Sequence, residues 1–235
     1  MSTNPIFCAI DTPDTARACA LAESLGGAVG GLKIGLEYFN AHGMAGYQKL
    51  AAFETPIFLD LKLHDIPNTV ASAVRALAPL QPALLNVHAG GGAAMMQAAS
   101  DAAQEAKDRS LRVPAMLGVT IMTSLADADL HQMGIAGTAQ EQVLRLAHLA
   151  QKNGMDGVVC SAHEIAILRA ELGPDFKLIV PGIRPAGSAT QDQKRVMTPA
   201  EAQKAGADIL VIGRPITGAD APRQAALDIA AQLSG

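Results

Sequence analysis

The chain of 235 residues is 49% hydrophobic, 17% charged and only 3% aromatic, with no tryptophan and a formal net charge of −4. Such a composition belongs to a globular protein with a substantial core and excludes disordered and fibrous chains. It also argues against a nucleic-acid or general polyanion surface, because rings for base stacking are few and the net charge has the wrong sign, so any phosphate recognition has to be local.

The first residues, MSTNPIFCAID, lack a basic region followed by a long apolar stretch, and no run of about 18 apolar residues occurs later. Short apolar or β-branched runs then recur at 6–11 (IFCAID), 29–35 (VGGLKIG), 57–64 (IFLDLKLH), 84–89 (LLNVHA), 114–121 (PAMLGVTI), 157–162 (GVVCSA), 177–183 (KLIVPGI) and 209–216 (ILVIGRPI). Between them lie Ala- and Leu-rich stretches with helical spacing, such as TARACALAESL and AQEQVLRLAHLAQKNG. Eight strand–helix units, strands that read as buried on both faces, and no Gly-rich dinucleotide fingerprint after the first strand predict an α/β fold. Its form is a single (β/α)8 TIM barrel over residues 1–235. No linker composition marks a domain boundary, and the polar segment 184–198 reads as a long loop after the seventh strand. Cys8, Cys19 and Cys160 lack CxxC spacing, so neither a disulfide framework nor a zinc site is indicated, and a soluble cytoplasmic protein is expected.

Active sites of such barrels lie at the C-terminal ends of the strands, where this chain concentrates its unusual residues. Asp11 ends the first strand, suited either to accept hydrogen bonds from sugar hydroxyls or to cap the helix that starts near Pro13. In FLDLKLHDIPNT, strand alternation puts Phe58, Asp60, Lys62 and His64 on one face and Leu59, Leu61 and Leu63 on the other. The leucines suit packing against helices, which turns Asp60 and Lys62 toward the barrel mouth. Buried unpaired charges are costly, and Lys33 is the natural partner of Asp60, because the missing side chains of Gly31 and Gly35 on either side leave its amine room. Opposite charges about 4 Å apart gain roughly 4 kcal/mol at an effective dielectric near 20, so a Lys–Asp–Lys array is tolerable there. A plain salt-bridge network is the competing reading.

After the seventh and eighth strands, PGIRP and VIGRP place Arg184, Gly213 and Arg214 where barrels often build phosphate sites. His64 and His88 read as structural histidines without metal spacing. Ser161 and His163 lack the GxSxG elbow of a hydrolase, although Ser161 can donate a hydrogen bond at the sixth strand's end.

The segments DLKLHDIPNT (60–69), AID (9–11), LKIG (32–35), NVHA (86–89), VTIMTS (119–124), PGIRP (181–185), DQKRVMTP (192–199) and VIGRPI (211–216) together resemble the bacterial orotidine 5′-phosphate decarboxylase family, in order along essentially the whole chain. The first segment is the most specific. The resemblance implies a homodimeric barrel that turns orotidine 5′-monophosphate into UMP in pyrimidine synthesis, without metal or organic cofactor and without nucleic-acid or membrane partners. It implies Lys62 as the proton donor flanked by Asp60 and Lys33, with Asp65 reaching the partner subunit's site. Asp11 and Lys33 would contact the ribose region, Ile66 and Thr69 would act near the subunit boundary, and Ser161 would address the pyrimidine edge. Thr123, Arg184, Gln193, Gly213 and Arg214 would complete nucleotide binding, the last four around phosphate. Met122 stands where the family more often has Leu, and Gln193 is preferred to Gln191 because it sits in the DQ pair. Two other readings stay open: a metal-dependent sugar-phosphate enzyme on a related barrel, and a noncatalytic nucleotide-binding regulator.

Overall fold

A computed structural model describes residues 4–185 and 197–233. Eight strands close into one parallel barrel in sequence order: β1 (Ile6–Ile10), β2 (Gly31–Ile34), β3 (Ile57–Leu63), β4 (Leu84–His88), β5 (Ala115–Val119), β6 (Gly157–Val159), β7 (Lys177–Pro181) and β8 (Ile209–Ile212). The outer layer holds α1 (Thr15–Leu25), α2 (Leu36–Ala51), α3 (Pro67–Leu77), α4 (Ala93–Gln104), α5 (Asp127–Gln132), α6 (Ala139–Lys152), α7 (Ile165–Leu172), α8 (Pro199–Ala205), α9 (Arg214–Thr217) and α10 (Pro222–Ala231). The fold predicted from strand rhythm is the fold found. Among the described residues no helix is long and apolar enough to cross a membrane.

Local chemistry accounts for the helix starts. The Asp14 carboxylate accepts from the backbone N–H groups of Ala16 and Arg17, so the cap of α1 is Asp14 and not Asp11. Thr138 with Glu141, and Thr198 with Glu201, form reciprocal capping boxes on α6 and α8. Several strands stop short of their apolar runs. β8 ends at Ile212 because Gly213 and Pro215 turn the chain into α9, and β6 ends at Val159 before a single 3₁₀ turn at Ala162–Glu164. These early endings open the ladder at the mouth and free the strand-end residues for other work.

Two apolar clusters divide the core. The larger lies between strands and helices, with Ile6, Cys8, Ile10, Leu32, Ile34 and Leu59 among its members. The smaller fills the barrel interior with Phe7, Phe58, Leu84, Leu117, Ile179 and Val211, and forms the floor on which the polar mouth rests. At β7 and β8 the structure is held by Arg169, which donates to the carbonyls of Gly173 (2.7 Å), Phe176 (2.8 Å) and Gly206 (2.7 Å) and pairs with Asp208 (2.5 Å). Asp208 in turn accepts the Leu178 N–H. Arg169→Leu strips several partly buried acceptors of their donor at once, and we expect a loss of about 3 kcal/mol in urea unfolding. A loss below about 1 kcal/mol would show that water replaces the guanidinium without penalty.

Candidate active site

The strand ends carry a chain of alternating charge. Lys33 Nζ lies 2.9 Å from Asp11 and 3.6 Å from Asp60, and Lys62 Nζ lies 2.6 Å from Asp60. Asp60 is the buried centre of the four, 8% exposed as a residue, whereas the Asp11 side chain is 55% exposed. Burial alone would push the Asp60 carboxyl up. The ammonium groups of Lys33 and Lys62, with hydrogen bonds from Lys62 and Asn86, outweigh that effect and hold it below its ordinary value. Glycine contributes space at one position: a Cβ on Gly35 would come within 2.9 Å of the Lys33 amine. The other flanking glycine works differently from the sequence expectation. The space beside Gly31 is taken by the Phe7 ring, so it serves the interior floor and not the Lys33 amine.

The reading of β3 as a regularly alternating strand also needs correction. Leu59 pairs with Leu85 and Leu63 with Val87, so Asp60, Leu61 and Lys62 span a stretch that β4 crosses with Asn86 alone. This is a bulge, and Lys62 sits in the left-handed region with φ +53°. For a lysine that conformation costs roughly 1–2 kcal/mol. Leu61 and Leu63 still pack on the outer cluster, and Asp60 and Lys62 still meet at the mouth. Sequence reasoning passed over Asn86. Its side chain is fully buried, donates to Asp60 Oδ1 at 2.7 Å and accepts from the Lys62 N–H at 2.8 Å. The available signal was one amide in the apolar run LLNVH, on the same strand face as Leu84 and His88.

Two cavities of about 260 and 230 Å³ adjoin at the mouth and share Lys33, Asp60, Pro181 and Val211 as walls. The first is lined by Asp11, Arg184, Gly213 and Arg214. The second is lined by Lys62, Thr123, Cys160 and apolar groups including Phe58, Val119 and Ile121. A polar chamber bearing two guanidinium groups therefore leads to a more apolar one bearing the Lys62 amine. Arg184 is buried, and its N–H donates to the Met197 carbonyl across the β7–α8 connection. Ser161 is buried next to Cys160, outside the walls of both cavities; its hydroxyl has no partner among the described residues, and its N–H donates to Glu164.

Asp65, Ile66 and Thr69 are exposed and line neither cavity; Asp65 accepts the Ile66 N–H and makes no ion pair among the described residues. Gln193 and Gln191 lie outside the described residues. The rings of His64 and His88 face each other at 5.3 Å, and burial followed by the charge of His64 holds His88 below the ordinary imidazole range. Among the described residues no three His, Cys, Asp or Glu side chains gather as a metal site.

A family model described as orotidine 5′-phosphate decarboxylase / HUMPS family matches residues 4–229. The chain belongs to this family. It is 56% identical to an orotidine 5′-phosphate decarboxylase of Rhodospirillum rubrum, over 100% of this chain and 96% of that protein. It is 54% identical to one of Paramagnetospirillum magneticum, over 98% of each. A crystal structure of orotidine 5′-phosphate decarboxylase from Lactobacillus acidophilus superposes with a TM-score of 0.87 at 35% identity, covering 99% of this chain and 100% of that one.

Membership in the family leaves the electrostatics of Asp60 to be tested directly. Because its folded-state value lies below the ordinary 3.8, ionised Asp60 contributes stability above that pH, and the contribution is lost as pH falls through the folded value. We therefore expect the stability of the wild type relative to Asp60→Asn, measured by urea unfolding, to decline below about pH 4. A difference that stays constant from neutral to acid pH would contradict the depressed value.

Proposed function

We propose that the protein decarboxylates orotidine 5′-monophosphate to UMP and CO₂ in de novo pyrimidine biosynthesis, with Lys62 protonating C6. The observation that carries this reading is the Asp11–Lys33–Asp60–Lys62 array at the junction of the two cavities. Kinship with decarboxylases over the full chain supports the reaction itself.

The bond from C6 to the carboxylate breaks, CO₂ leaves, and the electron pair stays at C6 in the plane of the ring, where conjugation does little for it. Fixed positive charge at that point is the effective remedy, and the Lys62 ammonium supplies both the charge and the proton. Solvent then reprotonates the amine. Asp60 aims Lys62, Lys33 balances Asp60, and Asp11 with Lys33 holds the ribose hydroxyls. Arg184, Gly213 and Arg214 bind the phosphate in the polar chamber, Gln193 adds to them, and Thr123 and Ser161 address the nucleoside. The positive charge comes from side chains, so the proposed reaction uses no metal or organic cofactor.

Asp65, Ile66 and Thr69 act across a homodimer boundary, with Asp65 completing the partner's charge array. Their exposure and their absence from the walls of the protomer's own cavities support this placement. The small substrate and the cytoplasmic setting of nucleotide synthesis leave no role for nucleic acid or membrane.

Release of CO₂ from orotidine 5′-monophosphate after chelation tests the reaction and its independence from metals. Wild-type turnover is expected to survive the chelator, and Lys62→Ala to lose more than about 1,000-fold while folding normally. Near-normal turnover by that variant removes Lys62 as donor. Arg214→Ala is expected to lower kcat/KM by about 100-fold, since binding of the remote phosphate is expressed in the transition state; an unchanged value counts against the phosphate assignment. Mixing inactive Lys62→Ala and Asp65→Asn subunits should regenerate about a quarter of wild-type sites, because half of a random dimer population is mixed and each mixed dimer has one intact site. No recovery would show that Asp65 serves its own subunit.

A further inference from the structure

We infer that Asn86 is a positioning residue for decarboxylation, fixing the left-handed backbone of Lys62 and the orientation of the Asp60 carboxylate with one amide. The inference rests on the reading of Lys62 as the proton donor and extends it to the device that aims the amine.

The register gives the first argument. Where β3 spends three residues, β4 has only Asn86, so the ladder supplies no backbone partner in the usual place for the Lys62 N–H. The Asn86 carbonyl oxygen takes that N–H at 2.8 Å, and its amide nitrogen donates to Asp60 Oδ1 at 2.7 Å. Asp60 Oδ1 is also the atom that receives the Lys62 ammonium, at 2.6 Å. Backbone, carboxylate and amine thus form a closed circuit through a side chain with no solvent exposure.

The second argument is conformational. Among the described residues four non-glycine positions have positive φ: Glu54, Gln81 and Ser110 lie outside the regular elements, whereas Lys62 lies inside a strand. A lysine gains nothing intrinsic from that conformation, so something outside it must hold it there. No substitute keeps both bonds. Ala or Leu leaves the N–H and the carboxylate oxygen unmatched, Gln is a methylene too long for the same two contacts, and Asp can accept from Lys62 but cannot donate to Asp60. A relaxed Lys62 backbone would swing the amine away from the second cavity, where the reacting atom is placed.

The test compares wild type, Asn86→Ala and the isosteric Asn86→Asp in kcat, KM and pH profile, with circular dichroism reporting the folded fraction. For Asn86→Ala, kcat per folded molecule is expected to fall by about 100-fold, because a misdirected amine loses its attack geometry. KM should stay within about threefold, since Asn86 lines neither cavity. Loss of a donor also raises the Asp60 carboxyl value, so the acid limb of kcat should move to higher pH. In Asn86→Asp the facing carboxylates move it further in the same direction. If the alanine variant does not fold, the isosteric variant decides alone. Folded variants with wild-type kcat and an unmoved acid limb, whatever their thermal stability, overturn the inference. Absence of turnover in the wild type defeats the decarboxylation reading itself and is told apart by that control.

Discussion

A carboxylate placed inside a barrel mouth has to be surrounded by donors and positive charge, and much of the local architecture follows from meeting that need at Asp60. Two ammonium groups and one amide converge on its oxygens, and without them a neutral acid would be the cheaper state. Each partner has its own structural precondition. Lys33 needs the bare backbone of Gly35, Lys62 needs a bulge, and the amide needs a buried position on β4. Below them, Phe7, Phe58 and Leu84 keep water out from beneath, so the charges interact in a setting of low dielectric.

The same arrangement explains how a fold shared by many enzymes is made specific. The barrel gives eight strand ends in a ring, and only β1, β2, β3 and β4 contribute to the charged array and its amide, while the ends of β7 and β8 bring Arg184, Gly213 and Arg214 to the polar chamber. The charged array and the guanidinium groups therefore sit on neighbouring arcs of the ring, which meet where β8 pairs with β1. A nucleotide spanning both arcs would be fixed at two points, and binding at one end could serve the chemistry at the other.

Much of this was legible in the sequence for physical reasons. Apolar runs bounded by Gly and Pro gave the eight strands, because strands buried on both faces cannot be polar. Asp60 and Lys62 stood out because charges interrupt such a run, and Lys33 because a charge between glycines in a strand needs a partner. What stayed hidden depended on register. A bulge of this kind carries no Gly or Pro in LDLKL, so regular alternation was the natural reading, and the right faces emerged although the local backbone was irregular. Asn86 was hidden for the same reason, since one amide in a strand becomes meaningful only when its cross-strand neighbours are known. Asp11 read as a possible cap for a helix starting near Pro13, and only the start of α1 at Thr15 gives that role to Asp14.

The central claim is that Lys62 faces the reacting carbon of a pyrimidine nucleotide bound across the two chambers. A crystal structure with UMP tests it most directly. The account predicts the Lys62 amine within about 3.5 Å of C6, the distance of an attack-ready pair, with the phosphate against Arg184 and Arg214. A nucleotide bound with C6 turned away from Lys62, or with its phosphate elsewhere than that chamber, would contradict it.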